Sequence, residues 1–268
     1  MFFKALRNHG GFTDPSIWKK REWLEEKPFV LGTFVQSSDP MVIEILASAG
    51  FDFVIIDFEH GPLGIDSARL SIMACNASGI VPVVRIKENA APLVTEVLDF
   101  GAIGVQIPQI CVPGDAKRAV FYSKYHPMGG RGINPYVRAS GYSPELFRTY
   151  MTWANENHLV IMHVEGLEGV KNIDAILDTP GLDIVFLGPY DLSQSAGVPG
   201  EVEHPTVIQK MKEVIAKAHE RNMVVGTFAD NEAAAKKWID LGVRYIVVGY
   251  DTRMLFQGAN KVVSSLRH

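Results

Sequence analysis

The stretch LVIMHVEGLEGVKNIDAILDTPGLDIVFLGPYDLS, residues 159–193, holds the repeating unit of the whole chain. A run that is apolar but for His163 ends on Glu165, a helical stretch follows, and a second apolar run, Asp183 to Leu187, leads through Gly188 and Pro189 to Asp191. Short runs that are hydrophobic almost throughout, rather than alternating, suit parallel strands covered by helices on one face and packed in a barrel interior on the other.

Working outward, the same unit recurs. Apolar runs at Phe29 to Val35, Asp52 to Asp57, Val81 to Ile86, Gly104 to Ile110, Leu159 to Glu165, Asp183 to Leu187, Val224 to Phe228 and Tyr245 to Gly249 make eight expected strands. Between them lie helical stretches such as MVIEILASAG and NEAAAKKWIDLG, several closing on glycine at the C-cap. Eight βα units, without a G-x-G-x-x-G or Walker sequence, predict an α/β fold made of a single (β/α)8 TIM barrel rather than an open doubly wound sheet. The 268 residues then divide into an N-terminal extension, 1–28, and the barrel, 29–268. The extension contains WKKREWLEEK, which reads as an amphipathic or solvated helix outside the core. The longest break in the rhythm is HPMGGRGINPYVRASGYSP, residues 126–144, and loops of that length are often functional.

Composition narrows the function. With 47% hydrophobic and 21% charged residues the chain can bury a large core, and disorder is not expected. A net charge of -4, with no basic block longer than Lys19-Lys20-Arg21, argues against nucleic acid as a partner. The two cysteines, Cys75 and Cys111, have no CxxC spacing and read as thiols in a reducing compartment. The opening MFFKALRNHGG is too polar for a signal peptide, and no run approaches the roughly 18 apolar residues of a membrane span, so a cytoplasmic protein without a membrane partner is expected.

Barrel active sites form at the carboxyl ends of the strands, which singles out Asp57, His60, Arg85, Glu165 and Asp191. Glu165 and Asp191 leave adjacent strands on one rim and suit a hard divalent cation; capping of the following helices is the alternative role, above all for Asp191. Gly188 lets a ligand approach the backbone, and the N–H groups of Tyr190 and Asp191 could bind a substrate carboxylate. Arg85 offers a permanent cation for an enolate or carboxylate oxygen, or pairs with a neighbouring acid. His60 could take a proton from a hydroxyl; Asp57 and Glu59 read as supports.

Taken in order, IIDFEHGP, PVVRI, VLDFGAIGVQIPQI, the GGRG turn, HVEG and FLGPYDLS resemble the HpcH/HpaI type of class II pyruvate aldolase over roughly residues 29 to 255. The resemblance implies a divalent ion (Mg²⁺, Mn²⁺ or Co²⁺) on Glu165 and Asp191, Arg85 stabilising a pyruvate enolate, His60 as general base, Asp99 raising the basicity of that histidine, and Tyr190 lending backbone to the substrate. It also implies a homo-oligomer, a hexamer of dimers that exchange the helix after Asp251. Asp99 sits awkwardly with this scheme: LVTEVLDFG ends a helix antiparallel to the strands, which points it to the opposite barrel face or to a neighbouring subunit. Where the family usually has glutamine before the metal glutamate, this chain has His163, which could donate to bound pyruvate, act as a third ligand, or mark a different substrate.

The expected function is therefore a metal-dependent aldolase, a carbon–carbon lyase, that cleaves or forms 4-hydroxy-2-oxo acids from pyruvate and an aldehyde. The alternatives are a Schiff-base aldolase using Lys87, a citrate-synthase-like condensing enzyme that takes an acyl thioester, for which Arg131 and Arg138 offer only a thin basic groove, and a non-catalytic barrel that binds a 2-oxo acid.

Overall fold

The computed structural model describes residues 20–267; the opening MFFKALRNHGG lies outside them. In chain order the elements are α1 (Lys20–Glu25), β1 (Val30–Val35), α2 (Pro40–Ala49), β2 (Phe53–Asp57), α3 (Ile65–Ser78), β3 (Val81–Arg85), α4 (Ala91–Asp99), β4 (Gly104–Ile107), α5 (Pro113–Ser123) and α6 (Pro144–Asn157). There follow β5 (Leu159–Val164), α7 (Leu167–Lys171), α8 (Ile173–Leu177), β6 (Ile184–Leu187), α9 (Pro189–Ser195), α10 (Pro205–His219), β7 (Val224–Ala229), α11 (Glu232–Asp240), β8 (Tyr245–Tyr250) and α12 (Asp251–Arg267). The eight strands close into one barrel, each pairing in parallel with the next and β8 returning to β1. The (β/α)8 barrel expected from the sequence is the fold.

Two cores hold it. Outward-facing strand residues such as Ile56, Val84, Val105 and Met162 meet the apolar faces of the surrounding helices. Inward-facing ones, including Phe53, Ile55, Val83, Ile161, Phe186 and Tyr245, fill the barrel, where Phe53 and Tyr245 stack at 4.1 Å. Burying each such side chain contributes roughly 1.5–3 kcal/mol, and the packed interior leaves the C-terminal mouth, rather than the barrel centre, open to a ligand.

Two expectations change at the other end. The helix in WKKREWLEEK does not lie outside the core: Trp23, on α1, packs its edge against Phe53 at 5.8 Å and Tyr245 at 6.4 Å, and so covers the N-terminal end of the barrel. On the same helix Lys20 supplies an anchor, its ion pair with Asp183 at 2.5 Å. The long loop 126–144 also belongs to this end. Arg131 is buried against Asp99 (2.6 Å) and the Tyr125 ring (4.6 Å), while Arg138 donates to the Phe100 carbonyl at the end of α4. Neither arginine forms a groove at the mouth.

Candidate active site

Side chains two apart on a strand share a face, and this parity builds the site. On β2 the interior positions Phe53 and Ile55 lead to Asp57; on β3 Val81 and Val83 lead to Arg85; on β5 Leu159 and Ile161 lead to His163, with Glu165 following just past the strand end. The register sets Asp57 beside Arg85 and Arg85 beside Gln106 on β4. Each polar residue is thus the last inward step of an otherwise apolar column.

Asp57 is wholly buried and accepts both Nε and Nη2 of Arg85 at 2.8 Å, with further bonds from Gln36 Nε2 at 3.3 Å and from the Glu59 and His60 backbone N–H groups. Burial pushes this carboxyl up, but the Arg85 bonds and charge outweigh it and hold it below its ordinary value. Glu59 takes Arg85 Nη1 at 3.1 Å, and the guanidinium lies 4.3 Å over the Phe34 ring. Three of the five N–H donors of an arginine are therefore spoken for, and the Tyr250 hydroxyl meets the same guanidinium from the cavity wall.

A second chain of bonds fixes Glu165. Its Oε1 accepts the Gln109 N–H at 2.8 Å and its Oε2 meets His163 Nδ1 at 3.0 Å. A carboxylate only accepts, so His163 Nδ1 carries the proton and Nε2 is left to accept from the Gln106 amide, which it contacts closely. The imidazole stacks on Phe186 at 4.5 Å. Both ring nitrogens of His163 are engaged by protein, so in this geometry it orients the glutamate, a role outside those the sequence suggested. Burial raises the Glu165 carboxyl, yet His163, the Gln109 N–H and Arg85 together bring it below its ordinary value. Gln109 holds φ at 56°, a left-handed conformation rare outside glycine, and its N–H bond to Glu165 is what that strain secures. Gly188 faces the same carboxylate so closely that a Cβ there would sit 2.9 Å from Glu165 Oε2.

Asp191 lies in the first turn of α9, which Gly188 caps and Pro189 opens. The cap position belongs to Gly188, and Asp191 is the acidic residue of the first turn, lining the cavity at the mouth. Burial and then the Glu165 charge raise its carboxyl, the electrostatic signature of two acids held toward one space. Among the described residues no group of three or more His, Cys, Asp and Glu side chains converges to hold a metal. Two hard oxygen donors with mutual repulsion nevertheless suit Mg²⁺ or a similar ion, which commonly takes one or two carboxylates and completes its shell with water and substrate. The residues fit the cation.

The cavity at this mouth measures about 380 Å³ and brings together His60, Arg85, His163, Glu165, Gly188, Tyr190 and Asp191, within the roughly 300–1,000 Å³ of small-molecule sites. His60 is largely exposed, its ring 4.0 Å from Glu59, free to reach a ligand. Asp57 sits behind Arg85 rather than in the cavity, and Asp99 is not there at all. It ends α4 at the opposite end of the barrel and pairs with Arg131, because a crossover helix runs antiparallel to its strands; within one chain it does not support His60. Lys87 is solvent-exposed past β3, away from the cavity lining. Gln106 was not singled out from the sequence, although it is the one polar residue of the strand GVQI; nor was the grip of Glu59 on Arg85.

Known proteins resemble this chain over most of its length. The HpcH/HpaI aldolase/citrate lyase family profile matches residues 31–258. The 5-keto-4-deoxy-D-glucarate aldolase of Salmonella arizonae is 32% identical over 239 residues, covering 88% of this chain and 92% of that protein. Among solved structures, an HpcH/HpaI aldolase/citrate lyase family protein from Burkholderia cenocepacia superposes with a TM-score of 0.88 at 32% identity, over 93% of this chain and 98% of its own. The citrate synthase SbnG gives 0.82 at 29% identity over 89% and 93%. From the length of the profile match and the closeness of these relatives, the chain belongs to the HpcH/HpaI aldolase/citrate lyase family, on its aldolase branch of carbon–carbon lyases.

Proposed function

We propose that the protein is a divalent-metal-dependent aldolase that makes and breaks the C3–C4 bond of 4-hydroxy-2-oxo acids, with pyruvate as the nucleophilic half. The observation that carries this reading is the convergence of Glu165 and Asp191 on a cavity whose other wall carries the Arg85 cation, held in place by Asp57 and Glu59. Glu165 and Asp191 would hold the ion, which supplies Lewis-acid withdrawal of charge from a 2-oxo group.

The chain's own residues do the rest. In cleavage, His60 takes the proton of the C4 hydroxyl, directly or through water; the C3–C4 bond breaks, its electron pair stays on C3, and C4 becomes the aldehyde carbon. Charge that develops on the oxygen of the three-carbon half lies against Arg85, pre-oriented by Asp57 and Glu59 so that no reorganisation is needed as the reaction proceeds. Protonation at C3 then gives pyruvate. The first turn of α9, at Tyr190 and Asp191, presents backbone N–H groups without helical partners to the carboxylate of that half.

The condensing alternative has the likeness to the citrate synthase in its favour. Against it, the curated relatives are named as aldolases, and the arginines that a thioester tail would use lie at the far end of the barrel. Exposed apolar residues along α12, including Leu255, Phe256 and Leu266, favour a homo-oligomer that covers them. No helix among the described residues is long and apolar enough to cross a membrane, in keeping with a cytoplasmic location.

The test is pyruvate release from a panel of 4-hydroxy-2-oxo acids, 5-keto-4-deoxy-D-glucarate first, before and after chelation. Release is expected to fall to background with chelator and to return with Mg²⁺, Mn²⁺ or Co²⁺; chelator-resistant release would overturn the metal assignment. A companion expectation is that Lys87→Ala changes turnover by less than about twofold, as for surface substitutions remote from a site, and that borohydride with pyruvate does not inactivate the enzyme. Inactivation by borohydride that Lys87→Ala prevents would restore the Schiff-base route.

A further inference from the structure

On the inner wall of the cavity the one arginine is already met by protein acids; at the mouth a second arginine is not. Arg85 is committed to Asp57 and Glu59, so it has no charge left over for a second carboxylate. Arg253, in the first turn of α12, lines the same cavity from the rim. Among the described residues its guanidinium has no ion-pair or hydrogen-bond partner. A permanently charged, planar fork without a protein acid is matched to a carboxylate brought by the ligand.

Its surroundings narrow that ligand. Tyr190 donates its hydroxyl to Asp230 Oδ1 at 2.8 Å, and both residues line the mouth with Arg253. Burial and Asp230 push the phenol up to about 12, so Tyr190 stays protonated and Asp230 keeps its other oxygen as an acceptor for a hydroxyl. The floor between them is aromatic, with Phe228 at 6.1 Å from Phe34 and 5.6 Å from Tyr250. The cavity of about 380 Å³ has room for at least a dozen waters at ~30 Å³ each, so a three-carbon acid at Glu165 and Asp191 leaves the outer part unfilled. A dianion there would face both Asp191 and Asp230; a single carboxylate beside a hydroxyl meets one cation and one acceptor.

We propose that Arg253 is the specificity-determining residue for the aldehyde half of the substrate, selecting a short aldehyde that carries a carboxylate, with the Tyr190–Asp230 pair receiving its neighbouring hydroxyl. The assignment rests on the aldolase reading of the same cavity and adds the chemistry of the second reactant.

The test uses two aldehydes with one skeleton, glyceraldehyde and 2-hydroxy-3-oxopropanoate, which differ only in CH₂OH against carboxylate. Each is added to pyruvate with wild-type enzyme, Arg253→Ala and Arg253→Lys, and kcat/KM is measured. Wild type is expected to prefer the acid by roughly ten- to a hundredfold, as for a hydrogen bond to a charged group. Arg253→Ala is expected to bring that ratio close to one through a rise in KM for the acid, and Arg253→Lys to retain part of it. A wild type that does not discriminate, or an Arg253→Ala variant that loses both aldehydes equally, overturns the assignment. Deuterium uptake into the methyl group of pyruvate in D₂O, followed by NMR without any aldehyde, separates the two readings. Uptake without acid preference sinks only the role of Arg253, whereas absence of both uptake and addition sinks the aldolase reading and this one with it.

Discussion

Arg85→Ala is expected to lower kcat/KM by about a hundred- to a thousandfold and, at the same time, to lower the melting temperature by roughly 10 °C. The first effect is the loss of a preorganised donor at the oxygen where charge develops. The second comes from Asp57, which is wholly buried and would lose its bidentate partner. Leaving one member of a buried pair costs about 3–5 kcal/mol, and a chain of this size loses about 2–4 °C per kcal/mol. Gln36 and two backbone N–H groups still reach the carboxylate, which places the loss near the lower limit. The double variant Asp57→Asn/Arg85→Met separates the roles: it is expected to recover most of the melting temperature and none of the turnover. A double variant that regains turnover would remove Arg85 from the chemistry.

The pair also sets a pH dependence of known sign. The Asp57 carboxyl is held below its ordinary value in the fold, so its contribution to stability is complete above the unfolded carboxyl pKa of about 4 and is lost as pH falls through the lower folded value. Wild type should therefore lose more stability on acidification below about pH 4 than the double variant does, as read from denaturant midpoints.

The strands were legible in the sequence because a buried parallel strand is written as an unbroken apolar run, and all eight runs lie where the barrel has strands. Three departures from the sequence reading have a common cause, which is reading hydrophobicity by segment instead of by position. β4 was extended to Ile110, yet the strand ends at Ile107 because Gln109 turns into a left-handed conformation and gives its N–H to Glu165. In the same strand Gln106 passed unnoticed as part of an apolar stretch, whereas counting in twos from Gly104 puts it on the inner face beside Arg85. The charged segment at the N-terminal end was taken as solvated because its lysines and glutamates outnumber Trp23 and Leu24, and it is these two that pack on the barrel.

The residues of the mouth were legible for a different reason: polar side chains at the ends of apolar runs have few structural duties in a barrel. What the sequence could not show was which of them face each other. From the sequence His163 is a ligand, a donor to substrate or the mark of a different substrate, and only its two hydrogen-bond partners reveal a brace on Glu165. Asp99 shows the limit of transferring a role by position, since the helix that carries it delivers it, within one chain, to Arg131 at the opposite end of the barrel.

Gly188→Ala is the sharpest test of the metal assignment, because it alters no charge. The backbone there, at φ -91° and ψ 98°, is open to alanine, so the cost of the substitution is steric, about 1–3 kcal/mol as for other overpacked sites, or a melting temperature lower by roughly 2–12 °C. The added Cβ would press on Glu165, 2.9 Å from both its Cβ and its Oε2. Oε2 is the atom that His163 holds, so the carboxylate must leave either that bond or its aim at Asp191. A displacement of about 1 Å at a reacting group reduces rate by about a hundredfold, and disturbing the groups that orient a ligand weakens metal binding about ten- to a hundredfold. Both losses are expected together in Gly188→Ala, the first in steady-state turnover at saturating metal and the second in a Mn²⁺ titration followed by electron paramagnetic resonance. Full Mn²⁺ affinity with lost turnover would show that Glu165 acts on the substrate rather than on the ion. If affinity and turnover both survive, the site lies elsewhere on the rim, since no ligand pressed to 2.9 Å by a new methyl group could keep both.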